Sequence, residues 1–126
     1  MPKGIPERGI YLFSEGQRHL YVGRTNRIRR RIQNHYRKSG THNQATFAFR
    51  IARADTGLER ASYRPDGSRE ELEKDAVFGP AFAEAKARVG RMDLRYVRED
   101  DPTRQALLEI YVATVLATPF NDFENH

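Results

Sequence analysis

A chain of 126 residues, 38% hydrophobic and 31% charged, has the length and balance of one compact domain with a well-solvated surface. It contains no cysteine, which excludes both a disulfide framework and a thiolate metal site. The net charge is +5, and between Gly16 and Ala54 ten Arg or Lys residues stand without a single Asp or Glu, so this stretch suits a polyanionic partner such as nucleic acid, or else forms a solubilising basic surface.

The first elements are two short strands. Gly9 to Ser14 (GIYLFS) and His19 to Gly23 (HLYVG) are rich in β-branched and aromatic residues, and the polar EGQR between them predicts a hairpin. Gly16 supplies the dihedrals that so short a connection needs. Thr25 or Asn26 then caps a helix expected to run to about Lys38 and to end at Ser39-Gly40. On it Ile28, Ile32 and Tyr36 form one apolar stripe. Arg31 and His35 border that stripe, whereas Arg29, Arg30 and Arg37 turn to solvent.

Asn43 to Ala54 reads as a second helix with Phe47 and Ile51 on one face, and Asp55 to Gly67 reads as a loop. Ser68 and Glu71 have capping-box spacing for a helix expected to break near Gly79-Pro80 and to resume through Phe82 to Val89. Met92 to Arg98 alternates as a third strand. Asp100-Asp101-Pro102 then caps a last helix reaching about Ala117, which Thr118-Pro119 ends. The expected fold is α+β, a small three-stranded antiparallel sheet flanked by helices. No repeat, low-complexity segment or linker divides the chain, so one domain over residues 1–126 is expected, with a divergent helical segment at about 40–90.

The last helix carries the most informative single residue. From Gln105 to Asn121 the only ionisable carboxylate is Glu109, amid Leu107, Leu108, Ile110, Val112, Val115 and Leu116. At a hundred degrees per residue it falls beside Val112, Ala113 and Leu116, so its charge is expected to be partly buried and to need a partner. That partner is either a cation such as Arg31 in a structural salt bridge or a divalent metal. Tyr11 and Tyr21, taken without the rest of the pattern, read as core aromatics of two strands.

Taken together, these residues resemble a known family. Gly9-Ile10-Tyr11 and Tyr21-Val22-Gly23, nine residues apart, are similar to the two tripeptides that name the GIY-YIG nucleases, with Val22 in place of the commoner isoleucine. Arg31 follows ten residues after Tyr21, His35 shares its helix, and Glu109 and Asn121 match the family's later glutamate and asparagine. The resemblance covers residues 9–38 closely and 105–122 at two positions. It implies a metal-dependent endonuclease that hydrolyses phosphodiester bonds in DNA, RNA staying open. The implied catalytic set is Tyr11 as proton acceptor, Tyr21 in support, Arg31 on the phosphate, His35 as relay or phosphate donor, and Glu109 as ligand of Mg2+ or Mn2+. Gly9, Gly23 and Asn121 are implied supporting positions.

The chemistry needs such residues, because a phosphodiester repels nucleophiles until cations neutralise its oxygens and leaving group. Arg24, Arg31 and the metal are also the expected means of lowering the Tyr11 pKa, since an ordinary phenol is almost wholly protonated at neutral pH. Arg24, Arg27, Arg29, Arg30, Arg37 and Lys38 are read as cations for the nucleic-acid backbone, and each is equally a solvated surface charge. The alternative is a non-catalytic nucleic-acid-binding module of the same fold. His19, His35, His42 and His126 show no metal-ligand spacing. Met1 to Arg8, with Lys3, Glu7, Arg8 and two prolines, lacks the apolar stretch of a leader, and no run reaches membrane-spanning length. A cytoplasmic protein with no membrane partner is therefore expected.

Overall fold

The computed structural model describes residues 4–57 and 76–121. Its elements, in chain order, are β1 (Gly9–Glu15), β2 (Arg18–Thr25), α1 (Ile28–Tyr36), α2 (Thr46–Thr56), α3 (Phe78–Gly90), β3 (Asp93–Arg98) and α4 (Pro102–Leu116). These residues divide into two compact units, one running up to Ile32 and resuming at Met92, the other spanning Gln33–Arg91.

In the first unit the strands form an antiparallel sheet in the order β2-β1-β3. β1 and β2 make the expected hairpin, closed by Gly16 at φ +61°. The register sets Tyr11 opposite Gly23 on one side and opposite Tyr96 on the other. Because directly opposed residues share a face, Gly9, Tyr11, Phe13, Tyr21 and Gly23 lie on one side of the sheet, and Ile10, Leu12 and Val22 on the other. Helix α4 covers the second side, where Ile10, Val22 and Ala113 form a core with Leu12, Leu108 and Val112.

The caps of α4 follow from its sequence. Asp101 accepts a hydrogen bond from the backbone N–H of Arg104 (2.8 Å), and Pro102 occupies the first turn. The helix ends where Ala117 turns left-handed at φ 51°, and Thr118 N–H returns to the Ala113 carbonyl. Beyond it, Phe120 N–H donates to the Leu20 carbonyl, so the chain after α4 runs along the outer edge of β2.

The second unit is helical among its described residues. Phe49, Phe78 and Phe82 form an aromatic cluster between α2 and α3, with ring centroids 5.0 to 6.1 Å apart. Lys86, almost wholly buried, donates to the carbonyls of Lys38 (2.7 Å) and Gly40 (3.0 Å), and so satisfies the turn that follows α1.

Several boundaries differ from expectation for identifiable reasons. Helix α3 does not break at Gly79-Pro80: it begins at Phe78, so Pro80 sits in the first turn, where a missing N–H removes no intrahelical bond. Helix α1 is shorter than expected at both ends. Its first N–H, that of Ile28, is taken by the Glu7 carbonyl, while Thr25 Oγ1 accepts from Arg27 N–H. Helix α2 starts three residues later than expected because Thr41 to Ala45 form a hydrogen-bonded turn. The loop expected over 55–67 lies outside the described residues beyond Gly57, as does the Ser68–Glu71 capping box.

Candidate active site

Tyr11 lies at the centre of the sheet face opposite α4, among buried residues. Its side chain is 1% exposed, and its ring reaches across to β2, where Cζ and Oη lie over the α-carbon of Gly23. A β-carbon at position 23 would coincide with those two atoms, so the phenol occupies the space a side chain would take. Gly9 meets an equivalent demand from the other direction: a β-carbon there would overlap the Val97 carbonyl of β3. Each tripeptide thus carries a glycine because another strand's atoms stand in its side-chain position.

The phenol of Tyr11 has three ionisable neighbours. Arg31, from α1, forms a side-chain hydrogen bond with it and lies within coulombic reach, as do Tyr21 and Glu109. The balance of these influences raises the Tyr11 pKa well above the ordinary tyrosine value. Burial is the largest cause and Tyr21 adds to it, the guanidinium of Arg31 opposes them, and Glu109 contributes a smaller upward push. The expected lowering by nearby cations is thereby corrected for the chain's own residues: desolvation of the phenolate outweighs Arg31, and Tyr11 is a neutral phenol at physiological pH.

Glu109 approaches from α4. Its side chain is 18% exposed, in agreement with its position on a nearly all-apolar helix, and its Oε1 lies 3.7 Å from Nε of Arg24. Arg24 is the cross-strand partner of Ile10 and therefore points to the α4 side of the sheet. Sequence reasoning assigned Arg24 to the nucleic-acid backbone and missed its pairing with Glu109. The signal was available in the alternation of β2, which places Arg24 on the same side as Val22.

Asn121 fastens the second tripeptide. Its Oδ1 accepts from the Val22 N–H (2.9 Å) and from the Thr118 hydroxyl (2.7 Å), and its Nδ2 donates to the Val22 carbonyl (2.8 Å). Asn121 thereby completes the backbone pairing of β2 at the residue between Tyr21 and Gly23. A second anchor lay outside the sequence reading: Gln105, buried in α4, donates from Nε2 to the Glu99 carbonyl (2.6 Å) and to Asn26 Oδ1 (3.2 Å). It ties the entry of α4 to the chain between β2 and α1.

Tyr21, Arg31 and Glu109 all act electrostatically on the Tyr11 phenol, although Glu109 comes from α4, on the other side of the sheet, where it meets Arg24. His35, four residues after Arg31 on α1, belongs to the second unit and is fully buried. Arg24, Arg27, Arg29, Arg30, Arg37 and Lys38 are all exposed. Among the described residues no three His, Cys, Asp or Glu side chains cluster in a metal-binding group. No helix among them is long and apolar enough to cross a membrane.

A family model for the GIY-YIG catalytic domain matches residues 7–75, over half of the chain. The matched span contains β1, β2, α1 and α2, and hence Tyr11, Tyr21, Arg31 and His35, while Glu109 and Asn121 lie beyond it. No curated protein and no solved structure matches the chain.

Proposed function

Since this chain belongs to the GIY-YIG family, whose catalytic domain is a nuclease, we propose that it is a metal-dependent endonuclease hydrolysing phosphodiester bonds in DNA, with residues 1–126 acting as one catalytic domain. The observation that carries the reading is the buried Tyr11 phenol, hydrogen-bonded to Arg31 and within electrostatic reach of Tyr21 and Glu109.

The donor set at Glu109 fits the metal that this chemistry uses. One partly exposed carboxylate, 3.7 Å from its Arg24 partner and so beyond the 2.7–2.9 Å of a strong charge-assisted hydrogen bond, offers oxygen alone. Such a carboxylate would suit a hard, oxygen-preferring cation, Mg2+ or Mn2+. Bound on Glu109, that metal supplies Lewis-acid neutralisation of the phosphate and of the departing oxygen.

The chain's own residues do the rest. Arg31 presents a planar fork that matches two phosphate oxygens and, through its hydrogen bond to Tyr11, holds the phenol in place. Tyr11 can accept the proton of the attacking water only as its phenolate, so its own proton must first pass to solvent, a loss that Arg31 and a bound cation would favour. Burial opposes its phenolate and Arg31 favours it, so Arg31 couples phosphate binding to the activation of Tyr11. Tyr21 supports Tyr11; His35, wholly buried in the second unit, is given no contact with the phosphate. Asn121, Gly9 and Gly23 keep the strand geometry on which the phenols depend. The exposed cations Arg27, Arg29, Arg30, Arg37 and Lys38, together with Arg24, contact the nucleic-acid backbone.

The test is incubation of the purified chain with supercoiled, linear, branched and single-stranded DNA, and with RNA, in Mg2+ or in chelator. Metal-dependent cleavage that is lost in Glu109→Ala, with nucleic-acid binding retained, supports the reading. Undiminished cleavage by Glu109→Ala removes Glu109 from the mechanism, and binding without any cleavage by the wild-type chain leaves the non-catalytic module of the same fold.

A further inference from the structure

We infer that the outer face of α4 binds a second copy of this chain, so that the protein is a dimer held by two α4 helices packed antiparallel. The surface lies outside the proposed nuclease site, and the inference stands independently of that reading.

Helix α4 is apolar on both sides. Its inner side sets Ala113, Leu108 and Val112 against the sheet. On the opposite side Leu107, Ile110, Tyr111 and Val115 are 64%, 47%, 65% and 61% exposed. A helix that is hydrophobic all round is ordinarily a buried one, so the outer face calls for a cover. Thr114, the polar residue within that face, turns its hydroxyl back to the Ile110 carbonyl (2.7 Å) and needs no partner for it. Glu109 falls about 160° round the helix from Leu107, so a cover on the outer face leaves its pairing with Arg24 undisturbed.

The character of the face selects its occupant. Beyond Arg104 it bears no charge, which gives a polyanion nothing to hold. A second copy offers the same uncharged stripe. Leu107, Tyr111 and Val115 stand at spacing four, the ridge that interdigitates with its own kind in the commonest class of helix packing. About a two-fold axis at Tyr111, Leu107 of each chain meets Val115 of the other, so the stripe is complementary to itself. The four exposed residues present about 500 Å2 per chain, hence about 1,000 Å2 in the pair, which reaches the area a specific interface requires before flanking residues are counted. Tyrosine at the centre of such a patch is also a residue type on which binding energy concentrates.

Sedimentation equilibrium of the full chain over a range of concentrations should give twice the chain mass. Tyr111→Glu sets two carboxylates at the axis and should raise the dissociation constant at least about thirtyfold, with the urea midpoint of the monomer unchanged because the position is exposed. Leu107→Lys and Val115→Glu should each weaken the dimer, whereas the double variant Leu107→Lys/Val115→Glu should recover affinity, since the antiparallel register brings opposite charges together. A wild-type chain that stays monomeric overturns the inference. In that monomer, weaker nucleic-acid binding by Tyr111→Glu would assign the face to nucleic acid, and a lowered urea midpoint would assign it to the chain itself. A dimer that Tyr111→Glu leaves intact, or a double variant without recovery, overturns the inference as well.

Discussion

Replacing Gly23 by alanine adds one methyl group at a place already filled by Tyr11. The backbone at Gly23 is an ordinary extended strand without positive φ, so alanine is conformationally permitted. On that ground alone the change would stabilise the fold by about 0.4–1 kcal/mol, by restricting the unfolded chain. The new β-carbon, however, would overlap Cζ and Oη of Tyr11 and approach Cε2 to 2.8 Å. Tyr11 is 1% exposed and hydrogen-bonded to Arg31, so its ring has no free direction in which to retreat. Overpacking of this kind costs about 1–3 kcal/mol, which reverses the sign of the expected change. Urea denaturation should therefore show a destabilised Gly23→Ala, and cleavage should fall by about a hundredfold if the phenol is displaced by as little as an ångström. The double variant Tyr11→Ala/Gly23→Ala supplies the control: with the ring gone, the two effects should be less than additive by about 0.5–3 kcal/mol. A Gly23→Ala protein more stable than wild type, with full activity, would refute the claim that Tyr11 dictates this glycine.

Three further outcomes follow from the same structure. Asn121→Ala removes both side-chain bonds to the Val22 backbone and should lower the unfolding free energy by about 2–4 kcal/mol; Asn121→Asp should not rescue it, since a carboxylate would face the Val22 carbonyl. The Tyr11 pKa is raised in the fold, so its neutral form is favoured there: the phenol's contribution is fully present below the ordinary value of 10.0 and is lost as the unfolded phenol ionises above it. Urea midpoints compared at about pH 8 and about pH 10.5 should fall more for wild type than for Tyr11→Phe, and an equal fall in both would contradict the burial of Tyr11. Lys86→Met keeps the length of the buried side chain but abandons the carbonyls of Lys38 and Gly40, and should destabilise by about 2–4 kcal/mol in chemical denaturation; a change under about 0.5 kcal/mol would mean that water replaces the ammonium there.

Local signals made the frame of this protein legible. Runs rich in β-branched and aromatic residues marked β1 and β2, alternation marked β3, the turn residues around Gly16 marked the hairpin, and Asp101-Pro102 marked the start of α4, because each depends on residues adjacent in sequence. The lone carboxylate of α4 was visible for the same reason, since helical periodicity alone puts Glu109 on a mostly apolar face. Where the reading depended on how first-turn backbone groups are satisfied it slipped: Pro80 appeared as a break and proved to be a first-turn residue.

What the amino-acid order could not decide was which groups meet across the sheet. Gly23 is required by a ring twelve positions earlier, Val22 is fastened by an amide 99 positions later, and Arg24 meets Glu109 from another element altogether. The upward push on the Tyr11 pKa was hidden on the same account: charge can be counted along a chain, but desolvation exists only once the sheet and helices have closed around the phenol. Residue types and their periodicity determined the elements and the inventory of reactive groups; tertiary packing alone decided the dielectric surroundings of each group and its partners, because both are set by neighbours distant in sequence.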